Sequence, residues 1–262
     1  MTEVSIKLAE PEDAEILTEI STPSFDSDAE VGAPGKGGPP GYDSVEHHRR
    51  AIQASWGEYL KIMHDEKIVG GTTVIKISDI HHEIVNVFID PNFHRRGIGT
   101  QSFELIKARY PKVKKWTLDT PDWNTRTKAY YEKIGFKQYG IFRWVPDFEL
   151  RAYQLILDPD YKFEITRIAD VSDNDQRYFI EGKIENISES KEVFSKKDDK
   201  HHQIAEVVLK DNSASIKLVL WDEMIRQVRV GERIRIETAR VSTFRDELQL
   251  NVSRFGRIAI LR

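Results

Sequence analysis

The chain has 262 residues, of which 39% are apolar and 31% charged, enough for one or two globular domains with a real core. It has no cysteine, which excludes a disulfide, a thiolate zinc site and a cysteine nucleophile. A net charge of −4 argues against a wholly basic nucleic-acid coat. No apolar run approaches the roughly 20 residues of a membrane span. The opening Met1-Thr2-Glu3 lacks the basic-then-apolar layout of a secretion signal, so the expected location is cytoplasmic.

Val4, Ile6 and Leu8 alternate as in a half-buried strand. Pro11-Glu12-Asp13 reads as a first helical turn, and Ile16, Leu17 and Ile20 continue it as an apolar face. Residues 32–41, rich in Gly and Pro, form a loop. A helix is predicted from about Ser44 to Trp56, then strands near Glu58–His64 and Lys67–Ile77. The dense apolar run Ile84–Ile89 reads as a central strand covered on both faces. A helix carrying Phe103, Ile106 and Tyr110 follows and stops at Pro111. Lys115–Asp119 is a strand, Asn124–Ile134 a helix ended by Gly135, and two strands close the half near Phe136–Trp144 and Leu150–Leu157. Asp158-Pro159-Asp160 suits a turn and not a strand, which puts a linker at 158–162 between domains 1–157 and 163–262. The second half is nearly all strand: Tyr178–Ile187, Ile204–Lys210, Ser215–Trp221, Arg233–Phe244 and Glu247–Val252, with a helical turn at Glu223–Val228. Five strands with one short helix suggest a small barrel.

Between the central strand and the next helix stands His94-Arg95-Arg96-Gly97-Ile98-Gly99. A strand, a glycine turn and a helix start bind anions, because the first helical N–H groups are unpaired and the helix dipole adds positive charge. Gly97 and Gly99 allow close approach, and Arg95 and Arg96 add full charges. Neither a nucleotide P-loop nor a dinucleotide glycine pattern is present. The segment resembles the pyrophosphate motif of the GNAT family of acyl-CoA-dependent N-acetyltransferases, with His94 where the family favours Gln or Arg. A second family element, an Asn before a helix that ends in Tyr-x-Lys-x-Gly-Phe, is matched by Asn124 and by Tyr131-Glu132-Lys133-Ile134-Gly135-Phe136. The two occur in family order, and the resemblance covers about residues 1–157.

The resemblance implies an α+β fold, a central mixed sheet flanked by helices, with acetyl-CoA wedged between two splayed strands. It assigns the pantetheine arm to the backbone of Phe88 and Ile89, the pyrophosphate to the loop from His94, Arg95 and Arg96 through Gly97, Ile98, Gly99 and Thr100, and further cofactor contacts to Asn124 and Lys133. Tyr131 would face the thioester sulfur; a core aromatic is the competing reading. An amine with a pKa of about 10.4 must lose a proton before it attacks. Glu83, at the start of the central strand and on the parity of Val85, Val87 and Ile89, is the candidate base, with a rim carboxylate as the competing reading.

The amine acceptor itself is not named by the sequence. A long connection over about 21–43 holds Asp26, Asp28, Glu30 and Asp43, which suit a cationic amine or simply a solvated loop. Trp56, Trp123 and Trp144 would line a pocket or fill the core. The pairs His47/His48, His81/His82 and His201/His202 do not converge on one point, so no metal is expected.

The second half resembles the OB-fold, in particular single-stranded-DNA-binding domains of archaeal replication protein A-like proteins. Lys217–Asp222, Val230–Ile236 and Val241–Leu250 carry that resemblance, with Asp246 where the family often has Gly. It implies an all-β barrel that stacks bases on Trp221 and Phe244 and tracks phosphates with Lys183, Lys217, Arg240, Arg245 and Arg254. Lys196, Lys197 and Lys200 would sit in a long gripping loop. Residues 162–262 carry 19 Lys/Arg against 18 Asp/Glu, so no strong basic excess favours nucleic acid over a protein-docking or homodimer-forming role. The combined reading is an acetyltransferase joined to a domain that brings it to single-stranded DNA or RNA, or to a protein bound there. The alternative is a small-amine acetyltransferase with a structural barrel.

Overall fold

The computed structural model describes residues 3–145, 148–161, 165–174, 176–195 and 199–262, with the side chains of 144, 145 and 253–255 outside that description. Contacts divide the chain into two compact units: residues 1–137 with 153–161, and residues 138–152 with 162–262. The segment 138–152, which the sequence reading groups with the first half, therefore counts with the second unit.

In the first unit the strands are β1 (Val4–Leu8), β2 (Gly57–His64), β3 (Lys67–Lys76), β4 (His81–Ile89) and β5 (Lys115–Pro121). They lie in that order; the first four are antiparallel neighbours, and β4 runs parallel to β5. The helices α1 (Ala14–Asp26), α2 (Val45–Gln53), α3 (Ile98–Arg109) and α4 (Thr125–Lys133) cover the two faces. Alternation along β2 divides the core: Tyr59 joins Leu17, Ile20 and Phe88 under α1, and Leu60 joins Phe103, Ile106, Trp116 and Tyr131 under α3 and α4.

The expected loop from 21 to 43 is shorter than the sequence suggests. The helix α1 continues through Pro23 to Asp26, and a 3-10 turn takes the chain on from Ser27 to Val31. Pro23 lacks the amide that would bond the carbonyl four residues back; the Thr18 and Thr22 hydroxyls donate to the Ala14 and Thr18 carbonyls one turn earlier. The helix α2 starts where Ser44 accepts a bond from the His47 amide, an N-cap, and ends at Gln53, three residues short of the expected Trp56.

The strands β6 (Lys137–Val145) and β7 (Phe148–Ile156) come next in the chain, and in the second unit β8 (Tyr178–Ile187), β9 (Lys191–Ser195), β10 (Lys200–Lys210), β11 (Ser215–Trp221), β12 (Arg233–Phe244) and β13 (Glu247–Leu261) form the barrel. Its order β13-β11-β10-β8-β12 closes through a β12–β13 ladder. Ile180, Leu209, Leu218, Ile236 and Leu250 fill it. The expected gripping loop is instead a β9–β10 hairpin: Lys200 pairs with Ser195, while Lys196 and Lys197 lie outside the described residues. Strand β13 runs nine residues past the expected end at Val252, and its last residues Ile260 and Leu261 pair with Ile141 and Gly140 of β6 (Lys137–Val145). Ile141 is wholly buried in the barrel core, and Arg143, 4% exposed, is held by Glu232 at 3.0 Å and the Gln227 carbonyl at 2.9 Å.

Candidate functional site

The first unit holds a cleft of about 1170 Å³ whose wall takes in the start of α3, the end of β4, the face of α4 and the 24–31 segment. Its existence follows from strand pairing. Strands β4 and β5 pair at only three positions, His81 with Lys115, His82 with Trp116 and Glu83 with Thr117, and then part. Beyond that point, among the described residues, β4 has no strand partner on the β5 side, so its backbone groups must find other partners.

A bulge sits just past the divergence. Thr73 pairs with Val85 but Gly71 pairs with Phe88, so β4 has one extra residue there, and Asn86 takes a φ of 53°. The Thr72 hydroxyl donates to the Val85 carbonyl at 3.0 Å, which satisfies a group that the bulge would orphan. The bulge corrects the strand parity expected for Glu83: it shares a face with Val85 and Phe88, and not with Val87 and Ile89. Glu83 is 8% exposed and does not line the cleft.

The glycine turn takes the backbone conformation that the pattern suggests. Gly97 caps α3 at φ +79°, a left-handed conformation that side chains disfavour. The Gln101 amide makes the first helical bond, to Gly97 at 3.0 Å, which leaves the amides of Ile98, Gly99 and Thr100 without a helical partner. Arg95, Gly97, Ile98, Gly99 and Thr100 all line the cleft, as do Phe88, Ile89, His94 and Lys133. Arg96 does not; its guanidinium lies 5.0 Å from the Phe93 ring centre. The His94 imidazole donates from Nε2 to the Ile89 carbonyl at 2.8 Å, so it ties the strand end to the loop instead of standing free.

Asn124 is buried and also lies off the cleft wall. Its side chain caps α4 by accepting from the Thr127 amide at 3.0 Å and also bonds Asp28. Tyr131 is 8% exposed, lines the cleft and packs among Tyr130, Phe136 and Tyr153. Among the described residues its hydroxyl has no hydrogen-bonding partner. Burial pushes that hydroxyl's pKa well up, so it is protonated at neutral pH. The two readings of Tyr131 are thus not exclusive: it is both a core ring and a cleft wall.

Of the four expected loop carboxylates, two are engaged. Asp28 is buried, pairs with Arg126 at the start of α4 and feels His94 nearby. Burial raises its pKa, and Arg126 offsets only part of that rise. Asp26 accepts from the Tyr42 hydroxyl at 3.0 Å. Glu30 is exposed, lines the cleft and, among the described residues, has no ion-pair partner. Sequence reasoning missed Arg126 and Tyr130. The Tyr130 hydroxyl donates to the Gly99 carbonyl at 2.8 Å, and a tyrosine one position before an expected cleft residue was the available signal.

On the barrel, register brings the expected residues to one outer face. Lys217 lies opposite Gln249, Gln249 opposite Ser242, and Phe244 opposite Glu247, with Arg240 opposite Asn251. Trp221 shares the parity of Lys217 on β11. Trp221 is 40% and Phe244 55% exposed, at opposite ends of this face, about 20 Å apart at roughly 3.3 Å per residue. Lys183 is exposed on β8, paired in register with Lys210 and Arg233. Two expectations change. Lys217 is not a free cation but bridges Glu206 at 3.3 Å and Glu247 at 3.2 Å. Arg245 lies over the Phe244 ring at 5.2 Å. The side chain of Arg254 lies outside the described residues. His202 holds Asp222 at 2.6 Å and meets the Trp221 ring edge-on at 5.8 Å. Arg245 and Asp246 form the hairpin turn at φ 51° and 63°, which explains why Gly suits the second position.

Residues 24–136 match the Acetyltransferase (GNAT) family, and residues 180–260 match the family of single-stranded DNA binding protein Ssb-like OB folds. The chain thus joins a GNAT domain to an OB-fold domain. An uncharacterized protein of Bacillus subtilis is 35% identical over 77 residues, 29% of this chain and 42% of that protein. The chain therefore spans about two fifths of the curated relative it matches. Among solved structures, a ribosomal-protein alanine N-acetyltransferase from Escherichia coli is similar at 16% identity over 63% of this chain and 100% of its own, with a TM-score of 0.47. The PaiA N-acetyltransferase of Thermoplasma acidophilum, solved in complex with coenzyme A, is 16% identical over 59% and 99%, with a TM-score of 0.46. An OB domain from Thermoplasma acidophilum is 28% identical over 37% and 87%, with a TM-score of 0.34. No helix among the described residues is long and apolar enough to cross a membrane.

Proposed function

We propose that the first unit is an acetyl-CoA-dependent N-acetyltransferase that passes the acetyl group directly to an amine, and that the barrel binds single-stranded nucleic acid or a partner bound to it. The observation that carries the first part is the parting of β4 and β5 after three pairs, directly beside a left-handed Gly97 and three unpaired helix amides. A diphosphate fits that cradle: the amides of Ile98, Gly99 and Thr100 hold it, and Arg95 and Lys133 add charge at the mouth. The edge of β4 at Phe88 and Ile89, which has no β5 strand beside it, binds an extended amide arm in strand fashion, the arm sharing the Ile89 carbonyl with His94.

Bound acetyl-CoA supplies an activated thioester carbonyl. The acceptor nitrogen forms the new bond to that carbon as the carbon–sulfur bond breaks. Tyr131, held protonated by burial, donates to the departing sulfur. The acceptor's proton leaves through Glu83, which stands on the α1 side with Phe88 and, being off the cleft wall, acts through water. Because Asp28 is spent on Arg126, Glu30 is the carboxylate on the cleft wall left to attract a cationic amine. Calorimetric binding of coenzyme A, followed by thiol release over a panel of amines, tests this. A chain that binds no coenzyme A would refute it. Glu83→Gln should flatten the acidic limb of the pH–rate profile, and an unshifted profile removes Glu83 from the mechanism.

For the barrel, the supporting observation is one outer face with an exposed aromatic at each end. Self-paired charge on that face favours a second reading, a small-amine acetyltransferase whose barrel docks a protein or a second copy. Anisotropy with labelled single-stranded DNA and RNA across a salt series separates the two, since phosphate contacts weaken log-linearly with salt.

A further inference from the structure

The Tyr130 hydroxyl reaches out of α4 to the first turn of α3. It donates to the Gly99 carbonyl at 2.8 Å, and the ring is largely removed from water. Helix carbonyls in a first turn already accept from the amide four residues on, so this bond is an added one. The fit around it is close. A Cβ on Gly99 would stand 3.3 Å from the Tyr130 oxygen and 3.4 Å from Ile89 Cδ1. Gly99 is thus small for the sake of the tyrosine behind it as well as for a ligand in front.

The Gly99 carbonyl and the Thr100 amide belong to one peptide plane. The hydroxyl on one side of that plane fixes where the N–H on the other side points, and the bond polarises the peptide so that the N–H is a stronger donor. We infer that Tyr130 is the positioning residue of the diphosphate cradle, acting on the ligand through the Gly99–Thr100 peptide. This rests on the acetyl-CoA reading of the cleft. Burial raises the pKa of Tyr130, so the hydroxyl keeps its proton over the whole working range and the bond persists.

The test is Tyr130→Phe, which removes only the oxygen. Kd for coenzyme A is measured by calorimetry, and Ki for pantetheine, which has the arm but no diphosphate, by competition against it. The expected result is coenzyme A binding weakened about tenfold, as for one hydrogen bond to a charged group, with pantetheine unchanged within twofold. The KM for acetyl-CoA rises by the same factor while kcat holds. Unchanged coenzyme A affinity overturns the inference, and so does an equal loss for both ligands, which would mean the helix had merely moved. Should the wild-type chain bind no coenzyme A, the transferase reading itself fails and this one with it. A Gly99→Ala variant checks the coupling: its loss should shrink when made on Tyr130→Phe, since both act on one contact. Fully additive losses would also overturn the inference.

Discussion

In the cleft the groups that would hold a phosphate are backbone amides, fixed by the turn at Gly97 and by the end of β4. On the barrel the corresponding groups are long side chains, and several of them already hold each other: Lys217 with Glu206 and Glu247, Lys191 with Glu206, His202 with Asp222. A backbone site is ready before a ligand arrives, because its geometry follows from the fold. A side-chain site of mutually paired charges must first break its own bridges. The cleft should therefore bind with little dependence on charge substitutions around it, and the barrel with a strong one.

The largest effect that bears on this contrast is expected at Tyr131. Tyr131→Phe keeps the ring in the core and removes a hydroxyl that, among the described residues, has no hydrogen-bonding partner. Turnover should fall about 10²-fold, the lower end for loss of a general acid, because a thiolate leaves readily. Affinity for coenzyme A should stay within twofold. Equal loss in both, or in neither, would show that the hydroxyl does not serve the leaving sulfur.

Next comes Trp221→Ala. Base stacking contributes roughly 1–3 kcal/mol per base, so single-strand affinity should drop about tenfold, and Phe244→Ala at the far end should do the same with an oligonucleotide long enough to span both. An effect of Trp221 alone would mean that the strand does not run along the face. Smaller again is Glu247→Gln, which frees one of the two partners of Lys217. Nucleic-acid binding should strengthen a few-fold, with a salt slope steeper by less than one unit. A face that binds protein instead would lose affinity or stay unchanged.

The same contrast explains what could be read in advance. The Gly97–Gly99 turn, the strand before it and the helix after it were legible because special backbone conformations demand special residues. The barrel was legible through its run of strands, while the set of Trp221, Lys217, Arg240 and Phe244 came from the OB-fold resemblance, and only register puts them on one face. The bulge at Asn86 was not, since one extra residue leaves no mark in an apolar run, and it moved Glu83 to the other parity. Asn124 and Arg96 kept their motif positions yet turned to capping and to Phe93; motif spacing fixes where a residue sits and not what its side chain touches. Segment 138–152 was hidden for a like reason: β6 alternates as any strand does, and its pairing with the end of β13 is a contact more than 100 residues away in sequence.

The smallest effect lies at His48, whose ring centre is 6.0 Å from that of Phe88 on the cleft wall. Its Nε2 is 3.1 Å from the Tyr42 carbonyl and 3.0 Å from the Ser21 hydroxyl, and its Nδ1 is 2.7 Å from the Tyr59 hydroxyl. A carbonyl only accepts, so Nε2 carries the proton and Nδ1 accepts from Tyr59. This network joins α1, the Tyr42 turn, α2 and β2, and among the described residues no carboxylate touches the ring. The titratable groups facing it are Tyr59, Tyr42, whose hydroxyl bonds Asp26, and the adjacent His47. Burial lowers the His48 pKa below its ordinary value, with the His47 charge adding to the fall and the Tyr42 bond opposing it. Between the folded and unfolded pKa the unfolded chain binds the extra proton, so stability from this group is whole above about pH 6.5 and is lost as the pH falls through the lowered value. One proton limits the slope to about 1.4 kcal/mol per pH unit. His48→Gln should start less stable at pH 8 and then lose less between pH 6.5 and 5 than the wild type, read by urea unfolding at each pH. Parallel curves would mean that His48 titrates alike in both states, and that the wall beside Phe88 is held by packing instead of by a neutral imidazole.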